Sequence, residues 1–279
     1  MTAIAIYTDL DGSLLDHDDY SFEPAESLLH ELEQADIPVV PCTSKTRAEV
    51  LVLREALNNW HPFIVENGAA VFIPTGYFEQ QPQGSSERDG FWVKEFSEPH
   101  VYWLGVLQQV SASLAAEAKF TSFSRMAMDE IVQATGLSTA DASLARQREY
   151  GEPVQWLGNE EDRETFIAEL QQMGARVLQG GRFLHVSGMC DKGTALRWLN
   201  EQYRRTANGK PPQSIAIGDS QNDVGMLEAA DHALIVRSPV HAPPTLQRSK
   251  SITISTLTGP KGWDEGVQKI LTKLHASPR

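Results

Sequence analysis

The chain has 279 residues, of which 41% are hydrophobic and 22% are charged, and its formal net charge is −13 at pH 7. This length suits one large domain or two modest ones, and the acidic balance argues against a nucleic-acid partner, because no basic stripe could neutralise phosphates. No apolar run reaches the ~18 residues of a membrane-spanning helix, the N-terminus lacks a signal-peptide pattern, and only Cys42 and Cys190 are present, so we expect a cytoplasmic protein with no membrane partner.

The first predicted strand is the apolar run Ala3–Thr8, which ends in two acids, Asp9 and Asp11, followed by Gly12. A buried strand that ends in this way is typical of an active site at the carboxyl edge of an α/β sheet. Two carboxylates so close raise each other's pKa unless a cation lies between them, so the pattern predicts a metal or a shared proton. A capped turn is the alternative, because Asp and Gly are ordinary turn residues.

The next segment alternates between helix and strand. The predicted elements are a helix at Pro24–Ala35, a strand at Ile37–Cys42, a helix at Arg47–Leu57, a strand at Phe63–Val65 and a return arm at Ala69–Ile73. Strands and helices that alternate with tight connections predict a parallel sheet covered on both faces.

The pattern changes after Pro74. Residues Gly76–Gly90 are rich in Gly, Pro, Gln and Ser, and indicate a loop or boundary. Helices are then predicted at Val101–Ala116, Met128–Thr135, Ser138–Arg146 and Glu161–Met173, and strands at Pro153–Leu157, Arg176–Leu178 and Phe183–Val186. The last two strands form a predicted hairpin through Gly180 and Gly181, and this mixture favours an inserted α+β domain.

The α/β pattern resumes at Asp191. It predicts a helix from Asp191 to Thr206, a strand at Ser214–Ile217, a helix at Val224–Ala229 and a strand at Ala233–Val236. We therefore predict an α/β core domain from residues 1–83 and 188–279, interrupted by an inserted domain at residues 84–187.

Four polar clusters fall at the ends of predicted core strands or at helix starts: Asp9 with Asp11, Thr43–Lys45, Lys192, and Asp219 with Asp223. In a doubly wound sheet such positions converge on one crevice. Three or four oxygen ligands suit Mg²⁺, and a hydroxyl with two lysines suits phosphoryl oxygens. No Cys/His cluster has zinc-like spacing, and no glycine-rich nucleotide loop is present.

These motifs closely resemble those of the haloacid dehalogenase (HAD) superfamily of phosphotransferases. Asp9-Leu10-Asp11-Gly12-Ser13 is similar to its first motif, Thr43 to its second, Lys192 to its third and Gly218–Asp223 to its fourth. The resemblance implies a HAD-like Rossmannoid core, a parallel sheet with helices on both faces, and an inserted α+β cap domain.

The resemblance also implies a role for each motif residue. Asp9 would attack phosphorus and form an aspartyl-phosphate, and Asp11 would protonate the leaving oxygen and later help water to attack. Thr43 and Lys192 would hold the phosphoryl oxygens. The implied Mg²⁺ ligands are Asp9, the Asp11 backbone carbonyl, Asp219 and Asp223, the last either directly or through water.

Within the superfamily the chain resembles the mannosyl-3-phosphoglycerate phosphatase family. The resemblance is carried by Thr43–Arg47, Ile64–Gly68, Arg148–Pro153 and Gly259–Trp263, and Thr43-Ser44-Lys45 departs from the Thr-Gly-Arg usual in general sugar-phosphate members. It implies hydrolysis of 2-O-mannosyl-3-phosphoglycerate, or of its glucosyl counterpart, to the sugar-glycerate and phosphate.

A substrate of this class carries a carboxylate as well as a phosphate, so additional cations are expected to bind it. Lys45, Arg148 and Arg182 are the candidates, and His185, Ser187 and Gly188 lie on the strand that returns to the core. The complete predicted substrate-binding set is Ser44, Lys45, Asn67, Arg148, Arg182, His185, Ser187, Gly188 and Asn222. Two alternatives stay open: the arginines are solvated, and Glu66-Asn67-Gly68 is only a turn.

Three alternatives to the leading function stay open. The chain could hydrolyse another sugar phosphate, return the phosphate to the sugar as a phosphomutase, or bind phospho-ligands without catalysis. The sequence does not indicate the preferred sugar or the oligomeric state.

Overall fold

The computed structural model of the chain describes residues 4–180, 182–206 and 211–276. The chain forms two compact units. The first unit comprises Met1–Thr43, Asn59–Lys94 and Asp191–Arg279, and the second comprises Ser44–Asn58 and Glu95–Cys190. These units differ from the predicted domains at Ser44–Asn58, at residues 84–94 and at residues 188–190; the predicted domain boundaries stay a proposal.

The described strands, in chain order, are β1 Ile4–Thr8, β2 Val39–Pro41, β3 Phe63–Val65, β4 Ala70–Pro74, β5 Ser86–Arg88, β6 Phe91–Glu95, β7 Phe120–Ser122, β8 Glu152–Trp156, β9 Arg176–Gly180, β10 Phe183–Ser187, β11 Gln213–Gly218, β12 His232–Arg237 and β13 Ile252–Thr258. The described α-helices are α1 Glu26–Gln34, α2 Arg47–Ala56, α3 His100–Ser113, α4 Met128–Thr135, α5 Thr139–Ala145, α6 Glu160–Gln172, α7 Lys192–Thr206, α8 Val224–Ala229 and α9 Gly259–Ala276. Single 3₁₀ turns lie at Glu23–Ala25, Glu66–Gly68 and Gln221–Asp223. No helix in these described ranges is both long and apolar enough to span a membrane.

A five-stranded parallel sheet forms the centre of the first unit, with strand order β13-β12-β11-β1-β2. All five residues of β1 are buried, as expected for a strand of a parallel sheet that is covered on both faces. In register, Thr8 lies beside Ile217 of β11 and Pro41 of β2. The residues that follow β1, β2 and β11 therefore emerge together at one edge of the sheet.

The strand predicted at Phe63–Val65 and its predicted return arm at Ala69–Ile73 are both present, although the strand is not one of the five strands of the parallel sheet. It belongs to a separate four-stranded sheet with order β3-β4-β6-β5, and it pairs antiparallel with β4. The chain changes direction between β3 and β4 at the turn Glu66–Gly68, where all three residues have positive φ. A parallel bridge between Cys42 and Ile64 links β3 to the segment after β2, and the Thr43 N–H donates to the Ile64 carbonyl at 3.0 Å. The predicted loop Gly76–Gly90 also contains β5 of this sheet.

The second unit contains an antiparallel sheet with order β7-β8-β10-β9. Its hydrophobic core includes Trp103 and Val106 of α3, Phe166 of α6, and Leu184 and Val186 of β10. The hairpin of β9 and β10 confirms the predicted one; Gly181 of its expected connection lies outside the described residues. Because strand side chains alternate, His185 and Ser187 lie on the face opposite Leu184 and Val186.

Candidate active site

Two acids lie side by side at the carboxyl edge of the parallel sheet. Asp9 follows β1 and Asp219 follows β11, and the Asp9 N–H donates to the Ile217 carbonyl at 2.8 Å. Because β1 and β11 are neighbouring parallel strands in register, the sheet itself sets this separation. Both side chains are buried, with residue exposures of 5% for Asp9 and 6% for Asp219.

Asp223 folds back over the turn that follows β11. Its Oδ2 accepts hydrogen bonds from the N–H groups of Asp219 and Ser220, both at 3.0 Å. Its Oδ1 accepts from Lys192 Nζ at 2.6 Å. Asp223 thus fixes the turn that presents Asp219, and both of its oxygens have protein donors.

Lys192 is fully buried and bridges two of the acids. Its Nζ lies 2.6 Å from Asp9 Oδ1 and 2.6 Å from Asp223 Oδ1. The lysine is the first residue of α7, where Asp191 caps the helix by accepting from the Thr194 N–H at 2.9 Å. A Cβ on Gly193 would lie 2.1 Å from the Gly225 carbonyl oxygen, so only glycine lets the starts of α7 and α8 approach this closely.

The charges at this edge are not balanced by Lys192 alone. Burial and the neighbouring Asp223 raise the pKa of Asp9 well above its ordinary value, although Lys192 opposes them. Burial and Asp223 likewise raise the pKa of Asp219 to about 6. Burial would lower the pKa of Lys192, but Asp223 and Asp9 outweigh it and the pKa is raised. The acids therefore need more positive charge if all are to be ionised.

The acids fit a hard divalent cation. Ligand oxygens of Asp9, Asp219 and Asp223 lie within 4.8 Å of one another. Carboxylate oxygens are the ligands that Mg²⁺ prefers, and a divalent ion would supply the missing charge. The separation of Asp9 and Asp219 is therefore small enough for both to bind one ion.

Asp11 lies in the turn after β1, and its backbone pairs with Leu15. The Asp11 charge is close enough to contribute to the raised pKa of Asp9. The Asp11 carboxylate nevertheless does not belong to the group formed by Asp9, Asp219 and Asp223, whose ligand oxygens lie within 4.8 Å of one another. This placement suits the predicted division of labour, in which the Asp11 side chain moves protons and only its backbone carbonyl binds the ion.

The turn Glu66–Gly68 connects the predicted motifs. The Asn67 N–H donates to the buried Thr43 at its carbonyl, 2.9 Å away, and Asn67 Oδ1 accepts from Asn222 Nδ2 at 3.1 Å. A Cβ on Gly68 would lie 2.3 Å from the Asp191 carbonyl oxygen, immediately before Lys192. The structure therefore brings Thr43, Asn67, Asn222 and Lys192 into one connected group in the first unit.

The other predicted substrate residues lie in the second unit. Arg148 Nη1 donates to the Ser44 carbonyl at 2.9 Å, and Lys45 Nζ lies 3.9 Å from Glu49 Oε1. Burial, followed by the charge of Arg148, lowers the pKa of His185 to about 3, so its ring is neutral at pH 7.

The last three predicted substrate residues have local contacts. The Gly188 N–H donates to Ser97 Oγ at 3.0 Å, and Ser187 Oγ lies 3.5 Å from the Gly188 carbonyl oxygen. Arg182 is exposed, and its Nη1 donates to the Ala134 carbonyl at the end of α4 at 3.1 Å. Roles in substrate binding stay predictions for all of these residues.

Two residues at this edge were not assigned a site role from the sequence. Trp263 of α9 is fully buried and donates from Nε1 to Thr8 Oγ1 at 2.9 Å, and Thr8 Oγ1 donates to the Asp9 carbonyl at 2.7 Å. His241 Nε2 lies 3.2 Å from Asp219 Oδ2. Trp263 lies in Gly259–Trp263, one of the segments that resemble the phosphatase family, and this resemblance could have indicated it. His241 follows β12 and lies in no recognisable motif.

Together, the parallel sheet and the acid–lysine cluster at its carboxyl edge define the class of the protein as an α/β enzyme with a site suited to phosphoryl groups. A sequence profile of the haloacid dehalogenase-like hydrolases matches residues 6–242. The chain belongs to this family, which confirms the predicted HAD-like fold and hydrolase class.

Relatives that match nearly the whole chain indicate a particular group of phosphatases within this family. A protein of Methanococcoides burtonii named glucosyl-3-phosphoglycerate/mannosyl-3-phosphoglycerate phosphatase is 35% identical, over 96% of this chain and 97% of the relative. A relative of the same name from Persephonella marina is 32% identical, over 97% and 98%. A solved structure of a HAD phosphatase from Bacteroides thetaiotaomicron matches the fold with a TM-score of 0.67 and 16% identity, over 98% of this chain and 96% of that one. The predicted family is thereby confirmed.

Proposed function

We propose that the protein is a Mg²⁺-dependent phosphomonoesterase that acts through an aspartyl-phosphate. The observation that carries this proposal is the group formed by Asp9, Asp219 and Asp223, whose ligand oxygens lie within 4.8 Å while Lys192 bridges two of them. A Mg²⁺ ion held by these acids would neutralise charge that develops on the transferred phosphoryl group.

In the first step a carboxylate oxygen of Asp9 forms a bond to phosphorus, and the bond from phosphorus to the leaving alkoxide oxygen breaks. Asp11 donates a proton to that oxygen. In the second step water attacks phosphorus, Asp11 accepts its proton, and the bond to Asp9 breaks to release inorganic phosphate. Lys192, held by Asp223, stabilises charge on the phosphoryl oxygens. Asp223 would help to hold the ion directly or through water, while its oxygens also accept from Lys192 and from the Asp219 N–H.

The substrate that we propose is mannosyl-3-phosphoglycerate or glucosyl-3-phosphoglycerate. The names of the two full-length relatives support this class. The glycerate carboxylate needs a cation, for which Lys45, Arg148 and Arg182 are the predicted candidates. We choose Arg148 for the test because its charge, after burial, helps to lower the pKa of His185, another predicted substrate residue. Action in the cytoplasm stays a prediction from the cysteine content.

Release of inorganic phosphate by the purified protein tests this function. We expect steady release from both glycosyl-3-phosphoglycerates in Mg²⁺, none in EDTA, and recovery when Mg²⁺ is restored. A panel of other sugar phosphates serves as the comparison, because a better substrate there would keep the chemistry and change the substrate. Interconversion of phosphate isomers without steady release would indicate a phosphomutase, and full turnover in EDTA would contradict the metal assignment.

A further inference from the structure

A buried relay of two hydrogen bonds ends on the residue that carries the proposed nucleophile. The indole N–H of Trp263 donates to Thr8 Oγ1 at 2.9 Å, and the Thr8 hydroxyl donates to the Asp9 backbone carbonyl at 2.7 Å. Both directions are fixed by chemistry, because an indole N–H can only donate and a carbonyl oxygen can only accept. Thr8 and Trp263 are fully buried, so both bonds lie away from solvent.

The relay holds the side of the Asp9 backbone that the sheet does not. Asp9 lies one residue beyond the paired part of β1, whose register with β11 and β2 ends at Thr8. Its N–H still donates to the Ile217 carbonyl at 2.8 Å, but at its carbonyl the Leu14 N–H is 3.5 Å away, against 2.7 Å for the Thr8 hydroxyl. With both sides of the α-carbon held, the Asp9 side chain keeps the direction that brings it 2.6 Å from Lys192 Nζ.

Close packing of α9 on the parallel sheet sets the position of the indole. A Cβ on Gly262 would lie 2.2 Å from the Leu257 carbonyl oxygen of β13, and a Cβ on Gly266 would lie 2.3 Å from Leu234 Cδ1 of β12. These two glycines are one helical turn apart, so they share a face of α9 and let that face lie directly against the two strands. Trp263 follows Gly262 in the same turn, and its N–H is thereby placed at the end of β1.

Apolar packing alone would not require these polar groups. Phenylalanine and valine could fill the two places, and valine suits a buried parallel strand. A buried indole N–H and a buried hydroxyl cost free energy unless both are bonded, and here their bonds end at the Asp9 carbonyl. We propose that Trp263 and Thr8 are positioning residues that orient Asp9 for attack on phosphorus, an inference that rests on the nucleophile of the proposed function.

The rate of the first chemical step tests this role. Trp263→Phe removes the indole N–H and keeps an aromatic ring, and Thr8→Val removes the hydroxyl and keeps a similar shape. In Mg²⁺, single-turnover release of the alcohol product from the phosphate ester that the wild type cleaves fastest should slow about 5–50-fold in each, because a misplacement of about 1 Å costs about 10²-fold and a smaller shift costs less. KM should change by less than about 2-fold. Thr8→Ser keeps the hydroxyl and should recover most of the rate.

Two comparisons and one spectrum separate positioning from a general loss of stability. Because Trp263 acts through the Thr8 hydroxyl, adding Trp263→Phe to Thr8→Val should slow the reaction no further. Trp156→Phe is the matched control in the second unit, where the indole N–H donates to the Asn159 carbonyl at 2.8 Å, and it should keep the wild-type rate. In ¹⁵N-tryptophan-labelled protein, the indole signal of Trp263 should move upfield in Thr8→Val and stay in place in Thr8→Ser.

The outcomes distinguish this inference from the proposed function. A wild-type rate in folded Trp263→Phe, losses that add in the double variant, or a raised KM at an unchanged rate would each overturn the positioning role and leave the phosphatase intact. If Thr8→Val does not fold, the rates of Trp263→Phe and Thr8→Ser still decide. A wild type that releases no phosphate from any ester would contradict the proposed function, and the positioning role with it, even where the indole signal shows the two hydrogen bonds.

Discussion

The acid–lysine cluster of the first unit and the predicted substrate residues of the second unit are held in different ways. In the cluster, charged side chains contact one another: Lys192 lies 2.6 Å from both Asp9 and Asp223. In the second unit, the guanidinium groups of Arg148 and Arg182 donate to backbone carbonyls. The first arrangement is a coupled network, whereas the second is a set of separate contacts.

This difference indicates how substitutions should behave. Buried charges that share partners cannot be removed one at a time without leaving another charge uncompensated. Effects in the cluster should therefore be large and non-additive, whereas effects in the second unit should be smaller and specific to substrate affinity or local stability. Five variants test this difference between the two units, and they are given from the largest expected effect to the smallest.

Replacement of Asp9 by asparagine should abolish phosphate release. The amide keeps the shape of the side chain but cannot attack phosphorus, so turnover should fall by at least about 10³-fold. Urea unfolding should show a folded protein, and mass spectrometry should show that the asparagine has not deamidated to aspartate. Activity near that of the wild type in such a sample would remove Asp9 as the nucleophile.

Replacement of Lys192 by methionine should cost both activity and stability. It leaves Asp9 and Asp223 buried without the cation between them, so the free energy of unfolding should fall by about 3–5 kcal/mol without added Mg²⁺. Adding Asp9→Asn to the same chain should recover part of this loss. Lys119→Met removes the surface pair with Asp162 at 2.7 Å and should cost far less stability, because solvent screens an exposed pair. Equal losses in the two methionine variants would contradict the coupled network.

The positions of the cluster residues could be predicted from the sequence because strand ends in a parallel sheet converge. Asp9 and Asp219 follow neighbouring strands in register, so the sheet alone brings them together. The return arm after Phe63–Val65 was predicted, but the separate sheet that β3 and β4 form with β5 and β6 was not, because the sequence after Pro74 indicates only a loop or boundary. An apolar run as short as Phe63–Val65 does not specify which sheet it joins.

The contacts that the sequence missed are long-range ones without a local pattern. Trp263 donates a hydrogen bond to Thr8, which is 255 residues earlier in the chain. His241 lies in an irregular segment and contacts Asp219. Elements β13 and α9 were not predicted, although α9 places Trp263 against the first motif. In the second unit, the contact of Arg182 with the Ala134 carbonyl depends on where α4 ends beside β10, which no spacing in the sequence records.

Replacement of Gly193 by alanine should displace Lys192 without removing any charge. The added methyl would lie 2.1 Å from the Gly225 carbonyl oxygen, so α7 must move at its first turn. A shift of about 1 Å at a catalytic group can cost about 10²-fold, and we expect turnover to fall by about 10–100-fold. Gly105→Ala in α3 is the matched control, because its methyl would meet no atom within 4 Å. Equal turnover in both variants would contradict the role of this helix contact.

Replacement of Arg148 by methionine should weaken substrate binding more than chemistry. Loss of a charge-assisted contact to the glycerate carboxylate should raise KM about 10-fold or more and change kcat by less than about 3-fold. Arg146→Met, at an exposed position of the same segment, should change neither constant. A phosphate ester without a carboxylate should have the same KM in the wild type and in Arg148→Met. A uniform rise in KM for both substrates would contradict the carboxylate contact.

Replacement of His185 by glutamine should reduce the sensitivity of folding to acid. Burial, and then the charge of Arg148, lowers the pKa of His185 to about 3, whereas a free histidine has a pKa near 6.5. Between these values the unfolded chain binds a proton that the folded chain does not. Stability is therefore fully present above about pH 6.5 and is lost as the pH falls, by at most about 1.4 kcal/mol per pH unit.

Urea unfolding at pH 7 and pH 5 measures this difference. His185→Gln should lose less stability over that interval than the wild type, because glutamine does not titrate. His17→Gln, at an exposed position, should lose as much as the wild type. The same loss in His185→Gln and in the wild type would show that His185 is accessible to protons in the folded chain, and the second unit would then lack the neutral imidazole near Arg148.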